Sequence, residues 1–297
     1  QDLTANGWNV TGTNATPTVA VVEPTISYPG YLSSGLGNEV TMTVSGQDVN
    51  KAFSAQTTGT VYASFLVNIS SVATGGDYFF HLGQTTIGTT FRGRVFARRD
   101  ASNNLAFGIA QSTSTVNYTP YSYALNTTYL VVLKFDIVDG TANDVSSIYI
   151  NPPLNAAIPA TGWLTNTDAS GTDLSEVGSV ALRQGGTSAP TLRLDGIRIS
   201  TNWADIVGPA PTTWDGSASN NWNNSENWSA GVPTSSMDVI IPFTGITNFP
   251  TLSAAGTCKN ITIESGASLI DNGYLTVTGT ATVERYISGH NNVADAG

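Results

Sequence analysis

Tyr129-Leu-Val-Val-Leu-Lys-Phe-Asp-Ile137 is the stretch that decides the fold class. Tyr129, Val131, Leu133, Phe135 and Ile137 make one apolar face, and the opposite face, Leu130, Val132, Lys134 and Asp136, begins apolar as well. A helix would repeat its apolar positions at steps of three and four. Strict alternation is a strand, and apolar residues on both faces place it inside a sheet. The same alternation recurs on either side of this stretch, from residue 19 to residue 200. Val61, Ala63, Phe65 and Val67 alternate with Tyr62, Ser64, Leu66 and Asn68, and Phe91, Gly93, Val95 and Ala97 with Arg92, Arg94, Phe96 and Arg98. Further strands are expected over 39–44, 78–82, 105–109, 145–150, 179–183 and 191–200. About ten short strands between Gly, Asn, Ser and Pro turns predict an all-β, antiparallel sandwich of two sheets. In the last strand Leu192 and Leu194 share a parity that Ile197 and Ile199 do not. One extra residue at Asp195-Gly196 restores the phase, which predicts a β-bulge there.

Composition narrows the function classes. The 297 residues suit two domains. Charged residues are 11 % of the chain, against about 25 % in an ordinary soluble domain, so Thr, Ser, Asn and Gly must build the surface. A net charge of −10 with eleven Lys and Arg argues against a nucleic-acid partner and against anionic membranes. No apolar run approaches the roughly 18 residues that span a bilayer, so no membrane insertion is expected. Cys258 has no partner for a disulfide within the chain, and with His81 and His290 it is too little for a zinc site. A chain starting at Gln1 reads as the mature terminus left after a signal peptide is removed, so a secreted or cell-surface location is expected.

The grammar changes after residue 207. Gly208-Pro-Ala-Pro-Thr-Thr213 reads as a stiff linker between a domain over 1–207 and another over 214–297. In the latter, Trp214, Trp222 and Trp228 lie in an Asn/Ser/Gly-rich stretch. Very short strands follow at 239–241, 261–263, 269–270, 275–277 and 283. Strands of two or three inward residues at six-to-eight-residue spacing suit a β-solenoid. Asn272-Gly273 read as a type I′ hairpin turn would instead make a small β-sandwich. Because the chain stops at Gly297 without a closing element, this domain is expected to be incomplete and the chain to be the N-terminal part of a larger protein.

Residues that could carry chemistry are sparse. A retaining glycosidase needs two carboxyl groups about 5 Å apart on one strand face, and the nearest approach, Asp136 and Asp139, falls on opposite parities. There is no Gly-x-Ser-x-Gly elbow and no Gly-Lys step for a phosphate loop. His81, in the apolar run Tyr78-Phe-Phe-His-Leu82, reads as a hydrogen-bonded sheet residue. The expectation is a protein that is not an enzyme. Asp139-Gly-Thr-Ala-Asn-Asp144 has the oxygen density of a Ca²⁺ loop but reads better as a solvated hairpin, whereas the bulge at Asp195 makes that carboxylate a candidate Ca²⁺ ligand. Arg92, Arg94 and Arg98 on one strand face are candidates for binding acidic sugars or sulfate. The alternative is a solvated face paired with Asp100. Trp214, Trp222 and Trp228 are candidates for a sugar-stacking platform, the alternative being a core.

Several segments carry a resemblance. Tyr28-Pro-Gly-Tyr31-Leu, Ser45-Gly-Gln-Asp-Val-Asn50 with Phe53, Asp77-Tyr-Phe-Phe-His-Leu-Gly83, Phe91-Arg-Gly-Arg-Val-Phe-Ala-Arg98, Thr128-Tyr-Leu-Val-Val-Leu-Lys134, Ile148-Tyr-Ile-Asn-Pro152 and Leu194-Asp-Gly-Ile-Arg-Ile-Ser-Thr-Asn-Trp203 together resemble the laminin G-like, concanavalin A-like jelly roll of secreted and surface proteins of the Bacteroidota. That likeness spans 1–207. Trp214-Asp-Gly, Asn221-Trp222, Glu226-Asn-Trp228, Gly231-Val-Pro233, Asp238-Val-Ile-Ile-Pro242 and Val283-Glu-Arg-Tyr286 are similar to the repeat that precedes short β-solenoids in cargo of the type IX secretion system. The resemblance implies an exported, non-catalytic module for adhesion or glycan binding. Glycans or surface proteins would be its partners, and the secretion machinery would be engaged through a sorting domain that is not among these residues. It also implies a structural Ca²⁺ at Asp195, within Asp195-Gly-Ile-Arg-Ile199. The alternative from the same family is a purely structural spacer or filament component that binds protein neighbours. A glycoside hydrolase is disfavoured because the acidic strand motif of the laminarinase-type relatives is missing.

Overall fold

The computed structural model describes residues 2–12, 16–112, 115–208 and 211–285. They fall into two compact units, one of residues 1–154 and 158–207, the other of 155–157 and 208–297.

The first unit is a two-sheet antiparallel sandwich of the jelly-roll kind. One sheet has eight strands in the order Asn9–Thr11, Asp48–Gln56, Val177–Leu182, Asp77–Gly83, Arg92–Arg99, Asn104–Ala110 and Tyr123–Ala124, with Asn117–Tyr118 also paired to Asn104–Ala110. The other has seven, in the order Leu164–Asn166, Val145–Ile150, Thr128–Ile137, Gly59–Ser71, Thr191–Ser200, Glu39–Met42 and Ala20–Val22. Thr128–Ile137 is paired along its length with Gly59–Ser71, from Thr128 against Asn68 to Ile137 against Gly59, and is closed on its other side by Val145–Ile150.

The inward faces of both sheets form one core. Phe65, Val131, Leu133 and Phe135 from the seven-stranded sheet meet Phe79, Phe80, Val95 and Phe107 from the eight-stranded one, with Phe65 stacked on Phe80 at 4.3 Å and edge-on to Phe79 at 6.0 Å. Gly93 interrupts the apolar alternation of its strand for a packing reason. At φ +57 its missing side chain leaves room for Leu133, which a Cβ would approach to 3.3 Å. The second apolar face of Thr128–Ile137 is explained as well. Leu130 and Val132 belong to a separate cluster with Ile26, Tyr31, Leu66, Trp203, Ile206 and Val207, so that face is roofed over.

Asp195-Gly196 forms the expected bulge. The register against Gly59–Ser71 shifts between Asp195 and Arg198, and Gly196 stands at φ +62.

The second unit settles the alternative that the sequence left open. Its strands pair in parallel: Thr212–Thr213 with Val239–Ile241, that with Ile261–Ile263, and that with Ala281–Val283. Single bridges join Asn221, Thr251 and Ile270, also in parallel, and Gly256–Cys258 pairs in parallel with Leu275–Val277. This is a three-sided solenoid. The register pairs Thr212, Val239, Ile261 and Ala281 climb in steps of 27, 22 and 20 residues. The six-to-eight-residue spacing in the sequence is therefore the distance between sides of one coil rather than between successive coils. Asn272 and Gly273 do adopt φ +51 and +79, and Tyr274 N–H closes a turn on the Asp271 carbonyl at 2.9 Å. The turn makes a corner, however, because the strands on either side pair with neighbouring coils instead of with each other. Thr212-Thr213, placed in the linker by the sequence, is part of the first coil. Residues 209–210 of that linker lie outside the described residues, as does His290.

Candidate functional site

Arg92, Arg94, Phe96 and Arg98 share one parity of their strand, and the core takes the other, with Val95 and Ala97. The even-numbered side chains therefore stand on the outer face of the eight-stranded sheet. A second apolar cluster collects there, with Tyr78, Phe96 and Ala110 buried and Phe91, Val116 and Tyr118 packed against them. The neighbouring strand Asn104–Ala110 presents Gly108 at this point. A Cβ on Gly108 would come within 2.7 Å of the Tyr118 ring and 3.0 Å of Val116, so the segment carrying those two lies directly on the strand.

The three arginines do different work. Arg92 is turned away: it donates to the Thr172 carbonyl, and its Nη1 donates to the Phe91 carbonyl at 2.9 Å. Asp173, Asp144 and Asp168 are the acids whose charge it feels. It is a structural tie at the sheet's end, which removes it from the candidate binding residues. Arg94 lies over Tyr78 and Phe96, its guanidinium carbon 5.2 and 5.5 Å from their ring centres. Arg98 covers Tyr118 at 3.7 Å and approaches Tyr121 at 5.1 Å. Arg183 joins them from Val177–Leu182's end, 4.0 Å over Tyr78 and 2.9 Å from Asp77. Asp100 does not pair with this face. Its oxygens accept from Asn104 and from the Ser102 N–H.

His81 sits between Tyr78 and Phe91, at ring separations of 5.8 and 4.3 Å. Its Nδ1 is 3.2 Å from the Leu82 carbonyl oxygen. Burial pushes its pKa down to about 4, so it is neutral at physiological pH. This is the sheet residue that the sequence suggests.

Asp195 lies on the outer face of the other sheet. Its Oδ1 accepts from the Gly196 N–H at 2.7 Å and its Oδ2 from the Thr25 hydroxyl, which also points to the Ile26 carbonyl at 3.1 Å. One step beyond the Leu194–Val40 pair in the register stands Glu39, only 1 % exposed. Burial raises the Glu39 pKa, Arg193 at 3.2 Å lowers it, and the Asp195 charge raises it further. Two neighbouring buried carboxylates, a hydroxyl and a backbone carbonyl are the hard oxygen donors that suit Ca²⁺. Among the described residues no group of three or more His, Cys, Asp or Glu assembles, so neutral oxygens would have to complete any shell.

The tryptophans are not a sugar platform. Trp214 and Trp222 are 0 % exposed and Trp228 is 5 % exposed, and Trp228 lies edge-on to both at 4.9 and 4.7 Å. Trp214 Nε1 donates to the Asn248 carbonyl and Trp228 Nε1 to the Trp222 carbonyl, each at 2.7 Å. Buried Asn227 ties the Asn/Ser/Gly-rich turn around them, accepting from the Ala218 and Ser219 N–H groups and donating to the Asn221 carbonyl. A short parallel solenoid has little core, and the three indoles fill it together with Val239, Ile241, Leu252 and Ile261. Cys258 is buried in the same core.

Tyr78, Phe96, Tyr118 and Arg183 complete the sandwich's outer face without having been singled out in the sequence. The signal for Phe96 was available, since it shares the parity of the three arginines. Tyr118 and Arg183 reach the face through sheet order alone.

A family described as a domain of unknown function, DUF8693, matches residues 213–297. No curated protein matches the chain. Solved structures similar to part of it include the alginate lyase Aly36B in complex with alginate tetrasaccharide, at 15 % identity, with 55 % of this chain and 79 % of that one covered and a TM-score of 0.39. A native heptameric SAP-like pentraxin from Limulus polyphemus is 13 % identical over 55 % of this chain and 78 % of its own, with a TM-score of 0.35. A homodimeric agglutinin from chicken liver, CG-16, is 11 % identical over 52 % of this chain and 100 % of its own, with a TM-score of 0.33. The sandwich assignment rests on the sheet order and registers themselves.

Proposed function

We propose that this chain is an exported, non-catalytic module whose sandwich binds glycan through the outer face of its eight-stranded sheet, in a surface protein carried by a type IX system of the Bacteroidota. The observation that carries this reading is the aromatic cluster of Tyr78, Phe91, Phe96 and Tyr118 outside the main core, interleaved with guanidinium groups. Aromatic faces match the C–H faces of pyranose rings, and concave or grooved aromatic surfaces with few polar groups suit ligand binding. Catalysis finds little support on this face. Among the described residues the hydrogen-bond contact of the His81 ring is to a backbone carbonyl, and Asp77 is held by Arg183.

Asp195 supports a second, separate reading. Glu39, Asp195, the Thr25 hydroxyl and the Ile26 carbonyl would hold a structural Ca²⁺, which would neutralise two adjacent carboxylates and pin the segment after residue 25 to the sheet.

Both readings are tested by binding of the full chain to a panel of neutral and acidic polysaccharides, with Ca²⁺ and then with chelator. Saturable retention of a defined glycan is the expected result. A folded protein that retains none of them points instead to a spacer with protein partners. A melting temperature unchanged by Ca²⁺ and by chelator removes the metal reading alone.

A further inference from the structure

The outer face of the eight-stranded sheet holds a guanidinium with no carboxylate beside it. Arg94 is 8 % exposed, and its Nε and Nη2 are buried without a hydrogen-bond partner among the described residues. The ion pairs among the described residues are Lys134 with Asp136, Arg183 with Asp77 and Arg193 with Glu39, so Arg94 is in none of them. Burial pulls its pKa down, Tyr78 opposes this, and the like charges of Arg92 and Arg183 add to the depression. The guanidinium carbon lies over the rings of Tyr78 and Phe96, 5.2 and 5.5 Å from their centres. The Tyr78 hydroxyl is also a hydrogen-bond partner of the group, but Nε–H and Nη2–H are left without an acceptor among the described residues, and a buried donor without an acceptor, on a charged group above all, is a costly arrangement.

The two unmet atoms are not a random pair. Nε–H and the outer Nη2–H point the same way along one edge of the planar group, the edge that accepts both oxygens of a carboxylate in two parallel hydrogen bonds. We propose that this edge of Arg94 receives the carboxylate of a uronic acid residue in an anionic glycan. The inference deepens the glycan-binding reading above and rests on it. Val116 and Tyr118 lie on the bare strand surface at Gly108 and pack with Phe96 and Tyr78 on the same face, and Arg98, 3.7 Å from the Tyr118 ring, is a second cation there. Its Nε is buried and unpartnered too.

The test is calorimetric titration of the full chain with tetramers of galacturonate, glucuronate, mannuronate and guluronate, with their methyl esters, and with a sulfated and a neutral tetramer. Arg94→Met removes the fork, and Arg94→Lys keeps the charge while losing the two-pronged geometry. At least one uronate is expected to bind, at least tenfold more tightly than its methyl ester, and both variants are expected to lose at least tenfold in affinity. Retained fold is checked by circular dichroism, and Arg94→Lys alone carries the comparison if Arg94→Met does not fold. Equal binding of acid and ester, a preference for the sulfated tetramer, or wild-type affinity in Arg94→Lys would overturn the assignment. If no uronate binds, the inference falls, and binding or not of the neutral tetramer then decides the wider glycan reading by itself.

Discussion

Two aromatic clusters, one in each unit, read differently in the sequence, and each ends where the other would be expected. Trp214, Trp222 and Trp228 lie among Asn, Ser and Gly, as a sugar-stacking platform would, yet they are sealed inside the solenoid. Tyr78 and Phe96 lie in runs that read as ordinary strand, and Tyr118 lies outside every expected strand, yet the three gather outside the sandwich core with Arg94 and Arg98 over their rings. The difference follows from how much interior each fold can build. Two sheets of eight and seven strands fill their shared core with Phe, Leu, Ile and Val and leave an outer face free for other work. Rungs of two or three residues cannot, and large indoles are drafted into the gap.

That contrast can be broken most decisively at Trp222. Trp222→Ala should destabilise the second unit by roughly 3–5 kcal/mol, as loss of a fully buried aromatic does. The intrinsic fluorescence of Trp214 and Trp228 should red-shift at lower denaturant, while glycan binding by the first unit is retained. Loss of binding with unchanged stability would restore the platform.

A smaller effect concerns acid. In the unfolded chain an imidazole takes up its proton near pH 6.5, but His81 in the folded sheet does so only near 4. Stability is therefore full above about 6.5 and falls as pH drops toward 4, by about 3 kcal/mol over the window. His81→Phe, which suits a place between Tyr78 and Phe91, should flatten that part of the denaturation-midpoint profile against pH. An unchanged slope would show that His81 is accessible to protons in the folded face.

Gly196→Ala tests the bulge. The residue sits at φ +62, and an added Cβ would come within 3.0 Å of the Tyr31 ring and 3.2 Å of the Ser33 carbonyl, so a loss of about 1–3 kcal/mol is expected by thermal melting. Tyr31 donates to the Gly196 carbonyl at 2.6 Å, and Tyr31→Phe should reproduce part of the loss.

Asp77→Asn should matter least. The Arg183 pair is about a fifth exposed at both ends, and its removal is expected to cost under about 1 kcal/mol. A larger loss would show that Arg183 needs its acid to stay on the Tyr78 ring.

Legibility varied with the range of the interaction. The strand Thr128–Ile137 was readable because alternation is local, and so was the bulge, since a single inserted residue flips the parity of Ile197 and Ile199 relative to Leu192 and Leu194. The solenoid's hand-over from side to side was only half readable. Asn272-Gly273 dictates a tight turn, but whether that turn folds a strand back or turns a corner depends on which strand supplies the next hydrogen bonds. Arg92 and Arg94 could not be told apart either, because two positions of one parity differ only in what neighbouring strands and loops bring to them.

By itself the sequence determined what period and composition encode: a strand-rich chain, the faces of each strand, the break near residue 208 and a surface poor in charge. Tertiary structure alone decided that the tryptophans are core, that Arg92 is a tie while Arg94 keeps an unmet edge, and that Asp195 has Glu39 for a neighbour. Those outcomes depend on pairings between residues far apart in the chain. No residue type announces its partner across a sheet, and burial is a property of the whole assembly of strands.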